Sequence, residues 1–308
     1  MTPVLFRPRF LIASLCSLLL LSTQQQASAQ VDAMESILLK PIVVVDRPGW
    51  LKEEAFIGEM KRPEWTSKRR FGFSRVYIQQ DPGQVSVEQW WRVRSYRDQG
   101  KKPQQKFIEE IEIGLPWRMQ LDIYADWGHE DGRTLKQDLA FELRWALADW
   151  GVIPLNPTLY AEYKATDGTY GSDVYEVKLL LGDDFTPRLH WALNFAYERA
   201  ISRGRANEFA ISQGLSYTLI DQVLSAGLEM QYKYENEQGG RHNSSGDRKF
   251  GIGPSIQIRP TPNSWINLVC LAGCSAPTPA IEGFVIFGYN FGRIASGPSI
   301  SRPVSAPR

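Results

Sequence analysis

Three histidines and a short run of carboxylates are the side chains of this sequence whose types and spacing could do chemistry. His242, in "RHNSSG", stands two residues before Ser244, a spacing at which an imidazole could take a hydroxyl proton and create a nucleophile. Such a pair needs a third group to orient the ring, and no Asn follows at a suitable spacing. The surrounding "NEQGGRHNSSGDRK" is the most polar stretch of the chain, so a solvated loop is the simpler reading. His129 leads into Glu130 and Asp131, a set of metal-ligand types that also reads as a solvated loop. Glu110, Glu112, Asp122 and Asp126 could share a proton or a cation, although ion-paired wall residues explain them more simply. His190 reads as a hydrogen-bonded packing residue. No Gly-rich phosphate loop, cysteine cluster or triad is visible. The sequence therefore predicts no catalytic residue, no cofactor and no metal, and a protein that is not an enzyme.

The elements that must hold these residues follow from period-two alternation. In "KFIEEIEIGLPWRMQLDIYADWGHE", Ile111, Ile113, Leu121 and Ile123 share one face, and Glu110, Glu112, Asp122 and Asp126 the other. Twelve such segments recur, at 84–95, 104–114, 118–128, 135–148, 157–166, 173–182, 188–199, 207–219, 223–235, 248–259, 263–272 and 281–291. Alternation with β-branched and aromatic residues marks strands. Short turns such as "GLPWR", "DWGVIPLNP" and "GDDFTPR" interleave with longer polar loops such as "GHEDGRTLK" and "TDGTYGSD", the asymmetry of an outer-membrane barrel. The fold class is all-β, a transmembrane antiparallel up-and-down barrel of about twelve strands.

Localisation follows from the first residues. Arg7 and Arg9 precede the apolar run Phe10 to Leu21, and Ala27-Ser28-Ala29 offers a cleavage site before Gln30. This is a signal-peptide pattern, too short to span a bilayer. The expected organisation is a signal peptide at 1–29, a periplasmic or lumen-filling segment at 30–83, a barrel at 84–292 and a disordered, Ser- and Pro-rich tail at 293–308. "FGFSRVYIQQ", residues 71–80, is strand-like but would break the even count, and it is assigned to the N-terminal segment. Cys16 leaves with the signal. Cys270 and Cys274 could form a disulfide at a strand tip if "LAG" turned the chain.

The charged face would line an interior. The candidate lumen residues are Arg92, Arg94, Glu110, Glu112, Asp122, Asp126, Glu142, Arg144, Glu162, Lys164, Glu176, Lys178, His190, Glu198, Glu229 and Lys233. Folding about residues 153 and 170 sets Glu142 opposite Lys164, Arg144 opposite Glu162 and Glu162 opposite Lys178, a checkerboard of opposite charges. Acids outnumber bases in this set, so a pore would weakly favour cations. Over the whole chain, 35 Lys+Arg against 34 Asp+Glu leave no electrostatic footprint for nucleic acid.

Glu110, Glu112, Gly114, Leu115, Arg118, Gln120 and Leu121 form a Glu-x-Glu-x-Gly-Leu-x-x-Arg-x-Gln-Leu hairpin. This resembles the hairpin of bacterial outer-membrane barrels grouped as a phenol-degradation meta-pathway family among barrel transporters. The resemblance implies an outer-membrane address and permeation, with no catalytic residue to carry over. The His242–Ser244 spacing is similar to the His-x-Ser of outer-membrane phospholipase A, also a twelve-stranded barrel. The expected function is a narrow channel or passive transporter for small solutes. The alternatives are a closed structural or surface-interaction barrel and a lipid-modifying enzyme. The expected partners are outer-membrane lipids, the barrel-assembly machinery, which would read the aromatic last strand "IEGFVIFGYNFG", and a small solute.

Overall fold

The computed structural model describes residues 51–292, apart from 99, 101, 131, 169–170, 202–205 and 238–245. The expected signal peptide, residues 30–50, the tail and the His242–Ser244 pair lie outside the described residues. The described chain opens with a 3₁₀ turn at Lys52–Glu54, a two-residue bridge between β1 (Phe56–Ile57) and β2 (Arg62–Pro63), and a second 3₁₀ turn at Glu64–Ser67. Twelve long strands follow: β3 (Val85–Ser95), β4 (Gln104–Leu115), β5 (Met119–Glu130), β6 (Arg133–Ala146), β7 (Thr158–Thr166), β8 (Val174–Thr186), β9 (Leu189–Ala200), β10 (Ala206–Ile220), β11 (Leu224–Glu237), β12 (Asp247–Thr261), β13 (Ser264–Gly273) and β14 (Ile281–Asn290). Each pairs antiparallel with its neighbours in sequence, and β14 closes on β3 with Tyr289 opposite Val87. Closure leaves no unpaired strand edge, as a hydrocarbon environment requires.

The outer wall is apolar. Ile111, Phe141, Trp145, Leu159, Val177 and Phe195 are exposed there, while Glu112, Asp122, Glu142 and Arg144 on the alternate positions are buried. Water would penalise that exposed area at ~25 cal/mol per Å²; lipid does not. Trp117, Phe185, Tyr289 and Phe291 are exposed at the turn end of the wall, and Tyr163 and Phe209 towards the loop end, where Tyr197 also packs on Phe209 with ring centroids 4.9 Å apart. Such aromatic belts sit at the two headgroup layers. No helix among the described residues is long and apolar enough to cross a membrane; the strands cross it.

Three details depart from the sequence reading. "GHEDGRTLK" is not a long loop, because β5 and β6 run on to Glu130 and Arg133. On the turn side, residues 147–157 are a long connection, and it wraps the N-terminal segment: Trp150 N–H donates to the Met60 carbonyl at 3.2 Å and Tyr77 O–H to the Ala148 carbonyl at 2.5 Å. Both charge registers are displaced by two residues: Glu142 faces Glu162, and Glu162 faces Glu176. The turn centres lie one residue from the positions assumed. A shift of two keeps every side chain on its face and changes every partner.

Cys270 and Cys274 are both free and exposed. β13 stays extended through Gly273, so "LAG" makes no turn and no disulfide forms. Cys270 points out of the barrel between the inward Val269 and Leu271.

Candidate lumen and its plug

Residues 51–84 occupy the turn-side half of the interior. Their way in is fixed by Asp221, in the β10–β11 turn, whose carboxylate accepts the N–H groups of Lys52 (2.8 Å) and Glu53 (3.2 Å). Their way out is fixed where Gly114 donates to the Gln84 carbonyl at 2.9 Å. Between these points the segment forms no long strand, so its backbone groups need partners from the wall. Glu229 accepts from Gly72 (2.8 Å) and Phe73 (2.7 Å). Asn194 mimics a strand edge, accepting from Arg75 N–H and donating to Arg75 C=O, each at 2.7 Å. Gln120 accepts from Gln79 N–H at 2.9 Å and Gln80 N–H at 3.1 Å.

Three arginines anchor the deepest part. Arg69 reaches Glu88 at 2.6 Å and Glu110 at 3.4 Å. Arg75 reaches Glu110 at 2.7 Å and Glu112 at 3.3 Å. Arg70 bonds Ser216 at 3.0 Å, Thr218 at 2.5 Å and Glu53 at 3.3 Å. Nearer the turns, Glu64 holds Lys68 at 2.7 Å and pairs with Arg259. Burial pushes the Lys68 ammonium down to about 8, with Arg259 adding to the fall and Glu64 opposing it. Burial alone would raise the Glu53 carboxyl, but the hydrogen bond with His190 and the charge of Arg70 outweigh it and hold it at about 2.

Apolar packing completes the seat. Trp65 stacks on His190 with centroids 4.5 Å apart and meets Trp150 edge-on at 5.8 Å. Phe73 meets Phe284 edge-on at 4.5 Å on a strip with Val269, Leu271 and Ile286. Inward glycines make the notches that admit plug side chains. A Cβ on Gly214 would lie 2.4 Å from Phe71 Cδ1, and one on Gly182 2.4 Å from Val76 Cγ1.

Apart from that strip, much of the wall beneath the plug is polar: Gln120, Ser212, Ser216, Thr218, Gln257 and Asn267 are buried against it. Of the residues singled out from sequence, Glu110, Glu112, Asp122, Asp126, Glu142, Arg144, Glu162, His190 and Glu229 are buried. Arg92, Arg94, Lys164, Glu176, Lys178, Glu198 and Lys233 line the space above the plug. The sequence reading missed Arg69, Arg70, Arg75, Glu88 and Glu208. Arg69 and Arg70 end a charged run without periodicity and Arg75 lies in the strand-like "FGFSRVYIQQ"; only their charge, opposite to the wall's acidic excess, offered a signal.

In place of a checkerboard, the carboxylates form one continuous row across neighbouring strands. Glu112 faces Asp122, then Glu142, Glu162, Glu176, Glu198, Glu208, Glu235 and Asp247 in turn. The row winds from the loop-end mouth down to the plug. Like charges directly opposite repel, and bases along the strands offset this: Arg144 lies 2.7 Å from Glu142, Lys164 3.4 Å from Glu162, and Lys178 2.7 Å from Glu176. Directly above the plug, a cavity of about 230 Å³ carries eight basic and eight acidic side chains. The lining of this cavity is balanced in formal charge. Phe73, Trp90 and Phe284 form its apolar side.

A closed barrel with an apolar outer wall and a polar, ion-paired interior is an outer-membrane β-barrel. No family model and no curated protein matches the sequence. Among solved structures, the chain is similar to an outer membrane channel from Pseudomonas putida F1, at 12% identity and TM-score 0.50, over 73% of this chain and 100% of that one. It is also similar to the NanC porin, at 13% identity and TM-score 0.47 over 68% and 100%, and to the β domain of the Bordetella autotransporter BrkA, at 10% and 0.46 over 69% and 100%. At 12% identity the likeness to the Pseudomonas channel is one of fold, that of an outer-membrane barrel.

Proposed function

We propose that this barrel is a narrow channel for small polar solutes whose turn-side half is closed by its own residues 51–84 and opens when that plug moves. One observation carries this reading: outside the Val269–Phe284 strip, much of the inner wall stays polar beneath the plug. A barrel built only as a structural or surface-interaction body would be more cheaply closed with apolar side chains, because buried ion pairs return little net stability. A wall rich in Ser, Thr, Gln and Asn behind a removable segment suits water and solute once the segment leaves. The balanced lining fits neutral and zwitterionic solutes better than simple ions of either sign.

Liposome swelling tests this. Proteoliposomes carrying the full chain should swell slowly in small neutral sugars and amino acids, and those carrying a deletion of residues 31–83 several-fold faster. A deletion variant that folds as a barrel yet admits no solute would leave the closed structural barrel as the better reading.

A further inference from the structure

We propose that the cavity directly above the plug binds zwitterions whose carboxylate and ammonium stand several ångströms apart, as in an ω-amino acid or a short peptide. Arg92 takes the carboxylate and Glu198 the ammonium. The inference rests on the channel reading, since it names the solute that the conduit would take.

Nearly all the charges lining this cavity are already matched. Among β7–β11, Lys164 lies 3.4 Å from Glu162, Lys178 2.7 Å from Glu176 and Lys233 2.6 Å from Glu208. Glu198, between Glu176 and Glu208 in the acidic row, is left with no ion pair and no side-chain hydrogen bond among the described residues. On β3 and β4, Arg94 holds Glu282 Oε1 at 2.7 Å and Lys106 pairs with Asp126. Arg92 makes no side-chain hydrogen bond among the described residues. The one carboxylate oxygen within reach is that same Glu282 Oε1, 3.9 Å from its Nε. The Arg92 guanidinium lies over the Phe284 ring, 5.8 Å from the centroid, and the side chain is 23% exposed. Arg69 and Arg75 share Glu110, and Glu142 pairs with Arg144.

Two unmatched charges of opposite sign therefore face one cavity. They cannot match each other. β3 and β9 are six strands apart by either route around the barrel, so Arg92 and Glu198 stand on opposite walls. Twelve strands spaced by ~4.8 Å and tilted by ~40° give a backbone diameter of roughly 24 Å. Side chains reaching in from both walls narrow this to a gap on the order of 10 Å. A charge left without a partner away from bulk water is costly, and a solute with both signs satisfies both ends at once. The guanidinium offers a carboxylate two parallel N–H groups. A simple ion leaves one end unmatched, and an α-amino acid is too short, because one carbon separates its charges. A further cavity of about 390 Å³ shares Arg92 and Glu198 and continues to Glu235 and Asp247 at the loop end, so the site is reached with the plug in place.

Calorimetric titration of the full chain in detergent at pH 7.5 tests the site, with 6-aminohexanoate and tri-alanine as the two probes. The expected result is saturable binding of at least one probe, with a Kd in the millimolar range or tighter. Binding of one alone tells an open methylene chain from a peptide as the preferred spacer. Alanine, hexanoate and hexylamine should each bind at least tenfold more weakly than that probe. Arg92→Gln and Glu198→Gln should each weaken it at least tenfold, with heat-modifiable gel mobility showing a folded barrel. Absence of saturable binding of both probes, hexanoate or hexylamine binding as tightly, or affinity unchanged in both variants would each overturn the proposal. Binding is read on the closed chain, so it is separable from conduction. Intact binding in a protein that never conducts would refute the conduit alone, and conduction without binding would refute this solute alone.

Discussion

Arg75→Ala is the sharpest perturbation of the plug. The side chain is 9% exposed and reaches Glu110 and Glu112 with one guanidinium, with Glu88 at 4.0 Å. Removing one partner of a buried pair costs ~3–5 kcal/mol. Here the lower end applies, because Glu88 and Glu110 keep Arg69, and Glu112 keeps Arg144 at 3.3 Å. When the plug leaves, water can solvate those carboxylates, so the cost falls on the docked state alone. About 3 kcal/mol corresponds to a roughly 100- to 200-fold shift towards the open state. Single-channel recording in planar bilayers reads this as open probability, rising by two orders of magnitude or to saturation. Lys249→Ala, which breaks only the rim pair with Glu235, should leave gating unchanged. If Arg75→Ala yields a folded barrel whose open probability stays within about threefold of the parent, the arginine does not hold a gate.

Three further outcomes are expected. Gly214→Ala places a methyl group against the Phe71 ring; overpacking of ~1–3 kcal/mol should raise open probability by roughly 5- to 150-fold, and an unchanged value would mean that Phe71 is not seated there. Lys68 is held at about 8 when docked, against 10.5 for the free side chain. The docked state thus binds fewer protons between these values, and docking should tighten, not loosen, as pH rises from 8 to 10.5, by up to ~3 kcal/mol; protection of plug residues from a protease at pH 8 and at pH 10 checks the sign. Cys274 should react with a polar maleimide in the folded, unreduced protein, whereas an intact mass two hydrogens lighter than the free dithiol would reveal a disulfide.

The fold was legible because strand alternation is local. "DLAFELRWALADW" presents Phe141, Leu143 and Trp145 on one face whatever its partner, and closing twelve such faces leaves one arrangement. Register was not legible: Glu142 against Glu162 or Lys164 depends on one residue in the centre of a turn, and both choices keep the same inward face. The acidic row could have been suspected from the recurring "ELR", "EYK" and "EVK", where each acid carries its own base two residues along and needs no counter-charge opposite. The plug was harder to read. "KRPEWTSKRR" resembles a solvated run, and its burial depends on carboxylates such as Glu88 and Glu110 that are distant in sequence. Side chains that serve as backbone partners, such as Asn194 for Arg75 and Glu229 for Gly72, have no local signature at all.

On the proposed function, a polar conduit runs through the barrel and residues 51–84 close it. Single-channel conductance of the full chain against the chain lacking residues 31–83, both refolded into the same bilayer, tests it most directly. The expected result is a parent that is closed for most of the record and a deletion variant with a steady open level and a reversal potential near zero in a salt gradient. A folded deletion variant that stays electrically silent would contradict it.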